Sequence, residues 1–307
     1  MTPDRLPLAI FTIVISVLAL SLGDAAIKAS SAGFGLWQIF VLRSVLVLAV
    51  LLAVGLVLWG RRAVVPDTPG WAALRSALLT ANWIAYYASL PHLDLPVAAA
   101  VYYTSPIWIT LFAGLFLGER IGARGWLAVL IGFAGVLVIL RPGLDAFGPA
   151  SLLPLLAAIL YALAMVLTRA RCRNDHAFAL AFSLNTGFIL TGGAALLWLQ
   201  WTAPAADGFL TRPWTPMGRE EWQLMVALGG AILIGSIGAA IAYQNGPAAV
   251  VGVFDFTYLG FAVLWGIVFF ADIPDMMTTV GIGMICAAGF LSMRARHPPK
   301  NRCATSP

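Results

Sequence analysis

Apolar runs dominate the chain. Each is close to twenty residues long and is cut by a few polar, Pro, Gly or Arg positions. Ten of these runs are predicted as helices, at 7–28, 36–59, 71–90, 96–117, 124–140, 150–168, 177–200, 222–243, 248–270 and 276–293. The length is informative, because about 20 residues at about 1.5 Å rise cross a hydrocarbon core of about 30 Å. The strict apolar–polar alternation of a membrane barrel is missing. The first run has the apolar content of a secretory leader, but it continues to Asp24 and Lys28 without a small-residue cleavage site, so it reads as a membrane helix.

Composition agrees with the pattern. Of 307 residues, 61% are apolar and only 10% charged. A soluble domain carries about a quarter charged residues, so this chain could not cover its own surface in water. The reading is an all-α integral membrane protein. Its basic residues report topology: of the 18 Lys and Arg, thirteen fall on one side if the N-terminus is cytosolic, four on the other, and Arg43 within a span. Both termini are therefore expected in the cytosol. No basic stripe stands on a soluble domain, so nucleic acid is not an expected partner. Cys172, Cys286 and Cys303 fall in a loop, the last span and the tail, and give no extracytosolic disulfide. The tail, 294–307, is polar and Pro-bearing and reads as disordered. The longest loop, "TAPAADGFLTRPWTPMGREE", reads as a connector on the outer side.

The chain also repeats itself. "PIWITLFAGLFLGERIGARGW" near the end of the first half resembles "YLGFAVLWGIVFFADIPDMMT" near the end of the second, and each is followed by a Gly-rich helix. The alignment sets Glu119 against Asp272. Two units follow, 7–140 and 150–293, of five spans each. Five is odd, so the second unit enters the membrane from the other side: ten transmembrane helices as two five-helix inverted-topology repeats. Units so related can expose one central site to each compartment in turn.

The residues "YYTSPIWITLFAGLFLGER" (Tyr102 to Arg120), the Gly-rich helix closing on "RPG" and the "FVLRS" of the second span resemble the EamA family of the drug/metabolite transporter superfamily, over residues 7–293. In that pattern a mid-span proline, here Pro106, leads to Gly118, Glu119 and Arg120. The second half departs from it, with Leu259 opposite Pro106 and Asp272 in place of the glutamate. The resemblance implies a cavity lined by the first, third, fourth, sixth, eighth and ninth spans, and residence in a bacterial inner membrane.

Candidate chemistry follows from the rare polar residues inside spans. Asp255 lies eight residues past Pro247, about 12 Å into the core. A charge there costs at least about 2.5–3.5 kcal/mol, so it must face a wet cavity, find a partner or take up a proton. Tyr258 shares its face. The alternative is a structural hydrogen bond between helices. Arg43 is the other deep charge. It pairs with Asp24, which shares a face with Lys28, to pin the first two spans, or else it binds a substrate carboxylate. Asn82, Tyr86 and Tyr103 read as cavity-lining, and Pro106 as a kink that frees a carbonyl. Trp83, Tyr87 and Trp108 read as interfacial belt residues, and His92 and Asp94 as part of an exposed turn. Glu119, with Arg120 and Arg124, reads as a charge cluster with a structural or gating role. Ala128, Gly132, Gly135, Gly283, Ala287 and Gly289 suit packing or a homodimer through the fifth and tenth spans.

No zinc, nucleophile or P-loop motif is present, so an enzyme is not expected, and no cofactor or metal is implied. The expected function is secondary transport of a small polar solute. Amino acids, related zwitterions, or a flat heteroaromatic such as riboflavin or a purine-type metabolite would suit the acid, the arginine and the tyrosines. Coupling could run through a proton on Asp255. The alternatives are an intramembrane enzyme or a channel-like facilitator.

Overall fold

The computed structural model describes residues 4–29, 35–89, 92–93, 95–141, 149–202, 209–270 and 274–294. Among the described residues there are twelve α-helices and no strand: α1 (Leu6–Ala29), α2 (Leu36–Trp59), α3 (Pro69–Ser89), α4 (Leu95–Tyr102), α5 (Ser105–Leu117), α6 (Ala123–Leu140), α7 (Leu152–Arg171), α8 (Ala177–Thr202), α9 (Arg219–Asn245), α10 (Ala248–Phe254), α11 (Thr257–Phe270) and α12 (Met276–Arg294). Asp272, Asp94 and the tail from 295 lie outside the described residues, as does the side chain of Asp24.

Nine stretches among the described residues are long and apolar enough to cross a membrane, which makes this a multi-pass membrane protein. Helix α3, expected as a further span at 71–90, falls outside that set. The reason is its inner face, which buries Arg75, Ser76, Thr80 and Asn82 and so lowers its hydropathy. The outer surface is apolar instead of charged. Val57, Leu115, Leu190 and Val268 are exposed, and Trp59, Trp71, Trp201 and Trp222 are exposed near helix ends, where amphipathic rings meet lipid headgroups.

Two expected spans are broken. In the first, α4 ends at Tyr102 and α5 starts at Ser105, with Pro106 in the first turn of α5. Proline fits there because a first-turn N–H has no helical acceptor. The break thus precedes Pro106, although the sequence pattern placed the kink at the proline itself. The second break, between α10 and α11, has no proline. The chain tightens to i→i+3 bonds, Asp255 N–H to Gly252 O (3.3 Å), Phe256 to Val253 (3.4 Å) and Tyr258 to Asp255 (3.1 Å). A threonine serves each break alike. Thr104 Oγ1 donates to Val101 O and Thr257 Oγ1 to Phe254 O, both at 2.7 Å.

Packing places α1 along α9 and α3 along α7. Helices α2 and α8 lie together, as do α6 and α12; α1 also meets α11, α7 meets α5, and α5 meets α10. The small residues of α6 and α12 are used inside the chain. A Cβ on Gly135 would stand 2.8 Å from Gly281 O, and the reverse holds for Gly281. Gly132 admits the Phe256 ring, since a Cβ there would lie 2.5 Å from it. Gly283 and Ala287 remain exposed. The long loop is more than a connector: Leu36 N–H donates to Phe209 O, Trp37 Nε1 to Leu210 O, and Gln38 holds Thr215 through both ends of its amide.

Candidate functional site

The α10–α11 break presents Asp255 to two neighbouring helices. Its carboxylate is 5% exposed. Oδ2 accepts from the Tyr243 hydroxyl of α9 at 2.8 Å and from the Tyr161 hydroxyl of α7 at 3.2 Å. Oδ1 is buried and accepts no hydrogen bond among the described residues. A buried carboxylate oxygen in that state is an acceptor awaiting a donor. The position of the break is fixed by packing: Phe256 enters the space at Gly132, Phe254 contacts Gly289, and Gly252 sits against Ile109.

A chain of tyrosine rings leads away from Tyr161. Tyr102 lies 6.2 Å from Tyr161 and 5.0 Å from Tyr86, and Tyr103 lies 5.7 Å from both Tyr102 and Tyr258, centroid to centroid. The structure therefore brings together Asp255, Tyr258, Tyr86 and Tyr103 from the sequence-derived set. Tyr161 and Tyr243 were missed. The available signal was a lone tyrosine in each of "LLPLLAAILYALAMVL" and "AAIAYQN", on the sixth and eighth spans, which the resemblance names as cavity-lining.

Asn82 and Arg43 make contacts of a different kind. Asn82 is 2% exposed and, with its amide nitrogen toward α7, donates to Ala157 O at 2.9 Å. It therefore pins α3 to α7. The Arg43 guanidinium lies 4.9 Å from Phe188, 5.1 Å from Phe40 and 5.5 Å from Trp83. Such an aromatic enclosure stabilises a cation through the ring quadrupoles. The expected Asp24 partner lies outside the described side chains. Trp83 stacks on Tyr87 at 5.4 Å, and Tyr87 meets Phe209 of the long loop. These rings are internal packing in place of the expected interfacial belt.

The end of the bundle that carries the arginine-rich loops is held by a network of polar contacts, a plug of side chains. Asp4 Oδ1 bridges Arg169 (2.7 Å) and Arg173 (2.8 Å), both of which donate to Gln244 O. Gln244 Nε2 in turn donates to Cys172 O and Asp175 O. Glu119 is not paired with Arg120 or Arg124. It accepts from the backbone N–H groups of Ala248 (3.0 Å) and Ala249 (3.4 Å), so the end of α5 caps the start of α10. Burial pushes the Glu119 carboxyl above its ordinary value, against the pull of those N–H groups and of Arg169. Cys172 lies buried within this plug, and burial pushes its thiol up to about 11. At the opposite end Arg141 and Asp275 form an exposed ion pair joining α6 to α12. Among the described residues no cluster of His, Cys, Asp and Glu could hold a metal ion.

A fold of apolar helices with two broken spans around a buried carboxylate defines the class as a polytopic membrane protein with an internal polar site. Comparison with known proteins gives the family. The profile of the EamA-like transporter family matches residues 7–141. A riboflavin transporter of Brucella anthropi is 30% identical over 235 residues, 76% of this chain and 80% of that one. A pseudopaline exporter of Pseudomonas aeruginosa is 27% identical over 206 residues, 67% and 68% of the two chains. A crystal structure of a protein 21% identical in sequence superposes with a TM-score of 0.76, covering 94% of this chain and 96% of the other. The chain belongs to the EamA-like transporter family.

Proposed function

We propose that the chain is a secondary transporter moving a small polar metabolite across a bacterial inner membrane by alternating access. Ten spans would be arranged as two inverted units, 7–140 and 150–293, with both termini cytosolic. The observation that carries this reading is Asp255: a buried carboxylate with one unmet oxygen, set in a broken span whose counterpart in the other unit is broken at the matching place. Discontinuous helices at corresponding positions of two halves are the usual markers of a transporter's central site.

The helix pairings support the two-unit arrangement. Exchanging each span with its counterpart turns the α1–α9 pair into α7–α3 and the α1–α11 pair into α7–α5. The same exchange returns α2–α8 and α6–α12 to themselves. Thr104 and Thr257 correspond under the offset that aligns Glu119 with Asp272. The plug of Asp4, Arg169, Arg173, Gln244 and Glu119 supports a conformation closed toward the cytosol.

Relatives are named for a riboflavin transporter and a pseudopaline exporter, so family membership leaves substrate and direction open. Our reading takes an amino acid or related zwitterion, or a flat heteroaromatic, held between the Asp255 carboxylate and the tyrosine rings, with a proton on Asp255 as the coupling ion. Reconstituted vesicles loaded with riboflavin, adenine or L-amino acids test this. Trans-stimulated uptake of one of them, abolished by Asp255→Asn, is the expected result. Flux without trans-stimulation would replace the carrier with a channel.

A further inference from the structure

Arg75, a basic residue near the arginine-rich end, is 1% exposed and sits in the second turn of α3. Its Nε donates to Thr168 Oγ1 of α7 at 2.7 Å, and that hydroxyl is oriented by its own donation to Ala164 O. Nη1 is buried without a hydrogen-bond partner, and Arg75 forms no ion pair among the described residues. Asp175, a carboxylate within Coulombic reach, gives both oxygens to Thr68. An arginine cannot shed its charge, and a buried cation with no carboxylate bonded to it is costly. An anion supplied by another molecule would complete the pairing.

Position points to the same site. Arg75, Asn82 and Tyr86 share one face of α3, at i, i+7 and i+11, and that face packs on α7. Thr168 and Tyr161 share the facing side of α7. Tyr161 is hydrogen-bonded to Asp255, and Thr168 to Arg75. A cation and a carboxylate thus meet one side of α7, with the arginine nearer the arginine-rich end. A planar guanidinium with an open Nη edge matches a carboxylate.

We infer that Arg75 is the anion-binding group of the transport site. It takes the carboxylate of a zwitterionic amino-acid-type substrate whose ammonium group is held by Asp255, and it is uncovered when the Asp4–Arg169–Arg173 plug parts. The inference rests on the transporter reading and narrows its substrate class.

The test is a thermal-shift titration of the purified full chain with L-amino acids, each beside its methyl ester, which keeps the amine and blocks the carboxylate. At least one amino acid is expected to stabilise the wild type where its ester does not. Arg75→Gln should weaken that binding by about tenfold or more, with Arg75→Lys in between. Should Arg75→Gln fail to fold, judged by monodispersity and ligand-free melting, Arg75→Lys decides, since it keeps the charge and loses the fork. Equal binding of acid and ester overturns the inference. So does binding to the deciding variant within about twofold of wild type, or no amino acid stabilising the wild type. Counterflow of riboflavin by a wild type indifferent to amino acids would overturn this inference and leave the transporter reading standing. Arg75-dependent binding with no counterflow would do the reverse.

Discussion

The Tyr243 hydroxyl donates to Oδ2 of Asp255 at 2.8 Å, tying the last turn of α9 to the break in the span that follows it. With Tyr161 at 3.2 Å, this bond fixes the carboxylate and leaves its other oxygen unmet. Tyr243→Phe removes the shorter of the two bonds. A hydrogen bond to a charged group is worth about 1.5–3 kcal/mol, so melting of the purified protein should fall by a corresponding amount. Transport should survive, weakened. Asp255→Asn keeps the shape and removes the ionisable group, so transport and its pH dependence should both vanish. An Asp255→Asn variant with wild-type flux at every pH would remove the carboxylate from the mechanism.

Glu119, just past the end of α5, caps the start of α10. Loss of a helix cap costs about 1 kcal/mol, and here the cost falls on the contacts that hold the arginine-rich end together. Cys172, buried in that plug, is a native reporter of its opening. Glu119→Ala should raise alkylation of Cys172 roughly fivefold, resolved by mass spectrometry of the peptide. An unchanged rate would show that the cap does not hold the plug.

The same carboxyl gives a pH dependence of known sign. Burial raises the Glu119 pKa in the closed form, against the backbone N–H groups of Ala248 and Ala249 and the Arg169 charge, while Asp4 adds to the rise. In an open, solvated form it would return to its ordinary value of 4.5. The closed form therefore binds the proton more tightly. Its advantage is full below the ordinary value and is lost as pH rises through the raised one. Cys172 alkylation, normalised to the denatured chain, should increase over that window in the wild type. The Glu119→Gln profile should be flat.

Much of this architecture was legible because hydrophobic length is a one-dimensional signal. The predicted runs fall on helices where described, two of them interrupted by a break, and the family resemblance drawn from "YYTSPIWITLFAGLFLGER" is matched by the family profile over residues 7–141. What the sequence hid was partnership. Asp255 stood out as an acid in an apolar run, but neither hydrogen-bonding tyrosine is near it on its own helix. Both arrive through packing of α7 and α9. Arg75 lies near the start of its span, and only the α3–α7 interface buries it. Glu119 beside Arg120 and Arg124 suggested ion pairing. The αL conformation at Gly118 ends α5 just before it, and the carboxylate instead meets N–H groups well over a hundred residues away. The second helix break lacks a proline and rests on Thr257 and i→i+3 bonds, which leave no mark in a hydropathy pattern.

The glycines of α12 separate internal packing from outward association. Gly281 faces Gly135 so closely that any Cβ would strike a backbone oxygen and the Ile139 side chain, whereas a Cβ on Gly283 would meet nothing within 4 Å. Gly281→Leu should therefore force α6 and α12 apart. Overpacking of this kind costs about 1–3 kcal/mol or more, and the loss would appear as poor recovery of folded protein and a lowered melting temperature. Gly283→Leu should leave the melting of the isolated chain unchanged. Small residues permit close helix approach in lipid, and a homodimer through the fifth and tenth spans, if it forms, would have to use the Gly283–Ala287 face that internal packing leaves exposed. If that dimer forms, Gly283→Leu should shift its mass in native mass spectrometry from dimer to monomer. A dimer indifferent to Gly283→Leu would place the contact on another face, and a Gly281→Leu protein as stable as wild type would contradict the α6–α12 packing itself.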